Sequence, residues 1–547
     1  MHRQLMRAIG LVAALFIVFA GAAPRGAAAQ PEQGASTPAI SNSMCLACHR
    51  TGLGGAPKVS PAVLAHSVHA KLHCTSCHTA ITRLPHPKNL GRVDCGSCHK
   101  AVGHELAVGS HGSSAHSSSN TPSCIGCHGT HGIKGVASAA FRRTVAGRCA
   151  GCHQSAYQSY IDSPHGQASV LGLQSAARCE DCHNPHLALP ASNPKSQIAA
   201  ANLETTCGRC HAGVNKQFTE FDPHAVPSSA ARSALLHYID LFMIGLIVSV
   251  FAFFGLHTLL WLQRSAVALW RGEVARARRT GTVYIKRFSG IERSVHVVMI
   301  VSFMLLALTG LPLMYSSSPW AQFLAHAFGG VQTMRLIHLV NAGITFGYFI
   351  YHLVYLAYRV IIRKQTFKLF GPESLIPSWQ DLADIGKNVR WFLYLGPKPG
   401  LDRWTYWEKF DYWAVFWGIA IIGISGLFLA VPSFWTSFVP GVSVNVAFVV
   451  HGEEALLATG FIFIFHFFHN HMRPENFPVD LTIFTGRLPL ERFKEERPLQ
   501  YQRLVDEGRL DDLLVGPPSR FATFVAAVFG AAVIITGIGL VVCVLAL

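Results

Sequence analysis

The strongest constraint in this sequence is the pentapeptide Cys-x-x-Cys-His, which occurs seven times between residues 45 and 211. Its spacing lets two thiols bond to the two vinyl groups of one haem while the adjacent histidine binds the iron. Fourteen of the fifteen cysteines belong to these motifs, so we predict seven covalently attached c-type haems. The cysteines are Cys45, Cys48, Cys74, Cys77, Cys95, Cys98, Cys124, Cys127, Cys149, Cys152, Cys179, Cys182, Cys207 and Cys210. The motif histidines are His49, His78, His99, His128, His153, His183 and His211.

Two other interpretations of paired cysteines explain this pattern less well. Zinc ribbons use Cys-x-x-Cys pairs without requiring a histidine after each second cysteine. A disulfide framework gives no reason for that histidine either. Seven haems in so short a segment leave little room for an apolar core. We therefore expect short helices and loops wrapped around the haems, and an unfolded segment when haem is absent.

Each iron also needs a ligand on its other face, and eleven further histidines lie in the same segment. A weak internal repeat puts His111 and His165 at similar distances ahead of the next motif, and His131 and His186 three residues after a motif histidine. The sequence leaves open which histidine serves which haem. The predicted distal ligands are His66, His69, His111, His131, His165 and His186.

The first 29 residues have the features of a secretory signal, with Arg3 and Arg7 ahead of an apolar run and small residues at 27–29. The alternative is an uncleaved anchor helix. Either one takes the next segment out of the cytoplasm, as c-type haem attachment requires.

The formal net charge of +16 does not indicate nucleic-acid binding, because most of the excess lies in loops between apolar spans, where it sets topology. Between Gln30 and Arg232, 16 Lys and Arg stand against 9 Asp and Glu. Two propionates on each haem would make that segment neutral or acidic.

Six apolar runs after residue 232 are each long enough to cross a bilayer. The loop 263–294 and the loop after the third run are rich in Lys and Arg, whereas 316–333 and 432–445 contain neither. We therefore predict that the basic loops are cytoplasmic and that both ends of the mature chain lie outside. The runs cover roughly 236–262, 295–315, 334–358, 411–431, 446–468 and 521–545.

Histidine is costly inside a membrane and is usually functional there. His338 and His451 lie near the outer ends of their spans, and His296 and His466 lie near the cytoplasmic ends. The 15 residues between His451 and His466 correspond to about 22 Å along a helix, which puts two haems at different depths. We predict two b-type haems, one ligated by His338 and His451 and the other by His296 and His466.

Two alternatives remain open at the cytoplasmic haem: His352 could replace His296, and His469 could replace His466. Polar contacts between helices would be the other explanation for intramembrane histidines.

Residues 287–480 resemble the gamma (cytochrome b) subunit of membrane formate dehydrogenases and the related hydrogenase b subunits. The resemblance implies a four-helix bundle with two b haems, a quinone site near the cytoplasmic haem, and His296, His338, His451 and His466 as ligands. One departure is that the last two histidines are one residue further apart than this family leads us to expect. The matching stretches are ERSVHVVMIVSFMLLALTGLPLMY, MRLIHLV, KFDYWAVFWGIAIIGISGLFL and the helix from His451 to His466.

The whole arrangement also resembles the fused multihaem c/b proteins proposed as inner-membrane quinol dehydrogenases of metal-respiring bacteria. These features predict a mainly α chain in five parts. They are a signal peptide (1–29), a periplasmic heptahaem domain (30–232), an anchor helix with a basic cytoplasmic loop (233–286), a cytochrome b domain (287–480), and a cytoplasmic segment with a last helix (481–547).

The expected function is respiratory electron transfer at the cytoplasmic membrane, from quinol through the b haems to the c haems and on to a periplasmic electron-transfer protein or reductase. The alternatives are a periplasmic reductase of a nitrogen or sulfur oxyanion and an anchor subunit of a separate dehydrogenase. No nucleotide loop, hydrolytic triad or flavin motif stands out. Candidate proton-handling groups are Lys286, Arg287, Ser289 and Glu292 on the cytoplasmic side and Glu453 and Glu454 on the outer side.

Overall fold

The structure, a computed structural model, describes residues 40–113, 122–272, 281–364, 371–474 and 476–546. The predicted signal segment lies outside these residues. The chain divides into two compact units, residues 1–94 and residues 95–547. The described chain is mainly α-helical with many loops, as the sequence predicts, and α-helices are the main regular structure of both units.

The first unit contains short helices joined by long loops. They are α1 (Asn42–His49), α2 (Pro61–Ala65) and α3 (Cys74–Cys77), with a 3-10 turn at Leu53–Gly55. None of these elements buries a side chain within the polypeptide alone. This is the pattern expected where a prosthetic group supplies the core.

The second unit begins with a similar loop-rich segment, residues 95–233. Its helices are α4 (Lys100–Val108), α5 (Ser110–Ser113), α6 (Cys124–His128), α7 (Ala139–Arg142), α8 (Val145–Ala150), α9 (Gln154–Ile161), α10 (Pro164–Val170), α11 (Cys179–His183) and α12 (Leu203–Gly208). Further 3-10 turns lie at Cys95–Ser97, Ala200–Asn202 and Phe218–Glu220.

Six helices of the described residues are long and apolar enough to cross a membrane, which confirms the number and place of the predicted runs. They are α13 (Ala234–Trp270), α14 (Gly290–Met314), α16 (Val331–Ala357, extended to Ile362), α18 (Tyr406–Ala430), α20 (Val442–Gly460, extended to Met472) and α24 (Arg520–Leu545). The short α15 (Pro319–Ala327) and α19 (Pro432–Trp435) and the amphipathic α17 (Trp379–Phe392) connect them.

The long helices pack as two antiparallel pairs, α14 with α16 and α18 with α20, and α13 packs along α20. Helix α24 approaches α20 closely, because a Cβ on Gly537 would lie only 2.7 Å from the rings of Phe463 and Phe467. We call the end of the bundle where α13 and α20 begin the near end, since it adjoins residues 95–233. The opposite end is the far end.

A small polar layer covers the far end. Strands β1 (Tyr284–Lys286), β2 (Arg487–Pro489) and β3 (Leu514–Val515) form an antiparallel sheet in the order β2-β1-β3. Helices α21 (Thr482–Thr485), α22 (Leu490–Glu496) and α23 (Pro498–Asp506) and a 3-10 turn at Asp511–Leu513 complete this layer. Its apolar centre contains Ile285, Leu488, Phe493 and Leu504.

The end of the fifth span departs from α-helical geometry. Residues Phe461–His466 and Phe468–Met472 form π-helical turns. A π-turn bonds residue i to residue i+5 and so takes up one extra residue without breaking the helix. The first of these turns ends at His466, so it lies within the segment that separates His451 from His466.

Candidate haem sites

The Cys-x-x-Cys-His motifs form single helical turns. The backbone N–H of His78 donates to the Cys74 carbonyl at 3.0 Å, and His153 donates to Cys149 at 2.8 Å. Such a turn puts residues i, i+3 and i+4 on one side of the backbone. Both thiols and the imidazole of a motif are therefore presented to the same space, as attachment of one haem requires.

Histidines of the motifs face second histidines at a recurring distance. Ring centroids are 6.0 to 6.3 Å apart in five such pairs of the N-terminal segments. An imidazole nitrogen lies about 2 Å from a metal that it ligates, so two imidazoles on opposite faces of one iron have centroids about 6 Å apart. The pairs are His49 with His86, His153 with His111, His128 with His186, His211 with His165, and His183 with His224.

Burial favours the neutral form of several of these imidazoles, which is the form that binds iron. Burial lowers the pKa of His165, and the neighbouring His211 lowers it further. The same two causes, burial first and the facing histidine second, lower the pKa of His183 beside His224. They act likewise on His111 beside His153.

Three of the six predicted distal ligands, His111, His165 and His186, face a motif histidine in this way. His66 directs its Nδ1 to the Ala62 carbonyl at 2.7 Å, which leaves its Nε2 available. For His66, His69 and His131 the assignment to an iron stays a prediction.

Sequence reasoning did not select His86 or His224, and both face motif histidines. Each directs its Nδ1 to an oxygen, that of Pro87 at 2.9 Å for His86 and that of Ser159 at 2.9 Å for His224. Such bonds orient an imidazole and leave Nε2 for a metal. No local signal marks these two residues, because the histidines that they face lie 37 and 41 positions earlier in the chain.

The membrane bundle contains one pair of the same geometry, His338 on α16 and His451 on α20, with ring centroids 6.3 Å apart. Nδ1 of His338 lies 3.0 Å from the Thr309 hydroxyl, and Nδ1 of His451 lies 3.0 Å from the Ile422 carbonyl. Both second nitrogens are therefore left for a metal between the rings.

Glycines make room beside this pair. A Cβ on Gly310 would lie 3.1 Å from the His338 ring, and one on Gly426 would lie 3.0 Å from the His451 ring. Any larger side chain would push an imidazole from its place. The residues present thus fit a b-type haem at this site.

The second predicted membrane pair is His296 and His466, nearer the far end. His466 directs Nδ1 to the Asp411 carboxylate at 2.8 Å, which orients the ring and leaves Nε2 available. His296 has a buried Nδ1 without a hydrogen-bond partner in the described residues. The ionisable side chains near His296 are those of His466 and His471.

The two alternatives for the far-end ligands have their nitrogens occupied. Nε2 of His469 lies 3.0 Å from Nδ1 of His257, and Nε2 of His257 bonds to the Tyr406 hydroxyl. Nε2 of His352 lies 2.8 Å from the Tyr412 hydroxyl. These bonds favour His466 over His469 and His296 over His352.

The polar candidates at the start of α14 have structural roles. Ser289 and Glu292 form a capping box for this helix, with bonds of 3.3 and 2.7 Å. Arg287 is buried and donates to Gln500 at 2.8 Å. The helix cap and the far-end layer thus use three of the four side chains expected to line a quinol pocket there, and the fourth, Lys286, is exposed.

Residues 95–233 join the near end through a two-bond contact. The backbone N–H of Asp222 donates to Oδ1 of Asn445 at 3.0 Å, and Nδ2 of Asn445 donates to the Asp222 carbonyl at 2.8 Å. Beside it, a Cβ on Gly441 would lie 2.3 Å from the Gln217 carbonyl. Helix α10, which carries His165, also contacts α14. The histidine pair His165/His211 is thereby tied to the same bundle as His338/His451.

Residues 49–153 match the family model described as the class III cytochrome C family. A comparison of the chain with curated proteins finds no match. The family match together with the motifs makes this stretch a multihaem c-type cytochrome domain. With its six candidate spans, the protein is a multi-pass membrane protein whose cytochrome domain indicates electron transfer.

Proposed function

We propose that this protein oxidises membrane quinol and delivers the electrons through two b-type and seven c-type haems to a periplasmic acceptor. The observation that carries the proposal is the recurrence of one histidine-pair geometry, 6.0 to 6.3 Å between centroids, in the soluble segments and in the membrane bundle. A haem iron held by two histidines accepts and releases single electrons. A chain of such sites needs no further catalyst to conduct.

The paired rings support specific ligands for six of the nine irons. For the b haems we propose His338 with His451 and His296 with His466. His66, His69 and His131 are the candidate distal ligands for the two motif histidines, His78 and His99, whose partners are not assigned. For the other c haems we propose the pairs His49/His86, His128/His186, His153/His111, His183/His224 and His211/His165.

Contacts at the near end support electron transfer between the membrane haems and the c haems of residues 95–233. Asn445 and Gly441 bring the segment with His211 to the near end, where His338 and His451 lie. Electrons from the membrane would leave the bundle at this end. Asp411 fixes His466 at the other haem position.

The domain assignment follows the same plan. We propose a cleaved signal at 1–29, a periplasmic cytochrome c domain at 30–232, an anchor helix and loop at 233–286, a formate dehydrogenase gamma-like cytochrome b domain at 287–480, and a last segment at 481–547. The basic residues of the far-end layer support a cytoplasmic location for it and the cytoplasmic membrane as the site of the protein.

Full-length protein in detergent tests the proposal. Menadiol, a soluble quinol, is added to the oxidised protein, and the b and c absorbance bands are followed separately. We expect the b bands to respond first and the c bands afterwards. A His451→Ala variant should lose one b haem and its c bands should no longer respond to menadiol, although dithionite still reduces them.

Two results would overturn the proposal. One is a wild-type protein whose haems menadiol does not reduce. The other is a His451→Ala variant whose c haems menadiol reduces at the wild-type rate. A matched control is His326→Ala, which changes a histidine of α15 that contacts neither predicted haem pair in the described residues.

A further inference from the structure

One carboxylate lies inside the bundle without a cation beside it. Among the described residues two carboxylates are buried, Glu454 with 2% of its surface exposed and Asp381 with 8%. Asp381 forms an ion pair with Lys409 at 2.9 Å. Glu454 takes part in no ion pair of the described residues, and its side-chain bond is a long one, 3.4 Å from Nε1 of Trp417.

An unpaired carboxylate in a membrane helix is costly and marks a functional group, and one role of such groups is to carry protons. Glu454 is three residues after His451 on α20, less than one turn and about 4.5 Å along the axis. It therefore lies deeper in the bundle than the near-end histidine pair and close to it along the same helix.

The group that bonds to Glu454 is open to the surroundings. Trp417 has 47% of its surface exposed, and its helix α18 is one of the six that are long and apolar enough to cross a membrane. The neighbouring Gly418 borders the carboxylate, because a Cβ built on it would lie 3.7 Å from Oε1 of Glu454. Gly418 itself has no side chain there. An aromatic ring arriving from the lipid could stack on the Trp417 indole and direct a hydroxyl to the carboxylate.

We propose that Trp417 and Glu454 form the quinol-oxidation site, with Glu454 as the group that accepts the quinol protons beside the near-end haem. The inference rests on the proposed function and deepens it. It puts the site at the near-end haem, whereas the polar side chains at the start of α14 are used by the helix cap and by Gln500.

The chemistry balances with groups already named. Oxidation of one quinol breaks two O–H bonds and gives a quinone, two protons and two electrons. A haem held by His338 and His451 would accept the electrons one at a time and pass each on to the c haems before it accepts the next. The protons go one at a time to the Glu454 carboxylate, which releases the first to the outer side before it accepts the second.

The test compares Glu454→Gln with Glu495→Gln in full-length protein. Glu495 is an exposed carboxylate of α22 in the far-end layer, at the opposite end of the bundle from the near-end histidine pair. A positioned proton acceptor contributes about 100-fold or more to the rate. We expect Glu454→Gln to slow the reduction of the b haems by menadiol by about 100-fold, and Glu495→Gln to leave that rate unchanged.

A second readout does not depend on turnover. A fluorescent hydroxyquinoline N-oxide, which mimics a quinol, should bind the wild type and the Glu495→Gln variant and lose affinity on Trp417→Ala. The oxidised-minus-reduced infrared spectrum should contain a carboxyl band that disappears in Glu454→Gln. Unchanged b and c absorbance after dithionite shows that each variant is folded and fully loaded.

The outcomes separate this inference from the proposed function. If menadiol reduces the wild type and Glu454→Gln at the same rate, the quinol site lies elsewhere while quinol oxidation stands. The same conclusion follows if the infrared band persists in Glu454→Gln. If menadiol does not reduce the wild type, the proposed function fails and this inference fails with it.

Discussion

The contact between Asp222 and Asn445 gives a quantitative prediction. Asn445→Ala removes both hydrogen bonds, of 3.0 and 2.8 Å, that join the loop before the first span to the start of α20. Each such bond contributes about 1 kcal/mol, so the contact loses about 2 kcal/mol. This corresponds to a roughly 30-fold larger open fraction. Alanine suits a helix, so the change should not disturb α20 itself.

Hydrogen–deuterium exchange measures this opening directly. The N–H of Asp222 is held by Asn445, so its exchange should quicken by up to about 30-fold in the variant. Ser443→Ala is the matched control, because the Ser443 hydroxyl is exposed and bonds only to the nearby Pro440 carbonyl. Reduction of the c haems by menadiol should slow in Asn445→Ala while the b haems still respond as in the wild type. Wild-type exchange at Asp222 in Asn445→Ala would refute the reasoning.

Three further predictions follow from single residues. His224→Ala should convert about one seventh of the low-spin c-haem signal to another spin state in electron paramagnetic resonance. The control His104→Ala, which changes an exposed histidine, should leave that signal as it is in the wild type. An unchanged spectrum in His224→Ala would remove His224 from the ligands. His466→Ala should lose one of the two b haems in the pyridine haemochrome assay, and His469→Asn should keep both. Burial raises the pKa of Asp480 but the charge of its arginine partner outweighs this and holds the pKa below its ordinary value. The stability from this ion pair is present above about pH 4 and is lost as the pH falls through the lowered pKa. Thermal melting of Asp480→Asn should therefore depend less on acid than that of the wild type, and equal slopes would contradict the assignment.

The far-end layer contains ion pairs between arginines and partly buried carboxylates. Arg497 donates to the Glu408 carboxylate at 2.8 and 3.1 Å, and the side chain of Glu408 also caps α18 through Thr405. Such pairing offsets the cost of removing both charges from water. Glu454 differs from Glu408 in this respect, because it takes part in no ion pair of the described residues.

Features that depend on neighbouring residues could be predicted from the sequence. The seven motifs are local, since two thiols and a histidine meet within one helical turn, and the family match covers residues 49–153. The six spans follow from apolar length, which a bilayer imposes on any segment that crosses it. The depth of His338 and His451 follows from their positions along those spans, and the structure brings the two rings together.

Contacts between distant parts of the chain were decided only by the tertiary structure. His86 and His224 resemble any surface histidine in sequence, and folding alone puts them 6.0 and 6.2 Å from motif histidines. Nothing local distinguishes His466 from His469, and the bond from His257 on another helix occupies the second of them. Glu453 and Glu454 are adjacent in sequence, yet the rotation of the helix buries one of them in the bundle without a cation. The sequence determined which chemical groups are present and at what depth, whereas packing between distant segments decided which groups face one another.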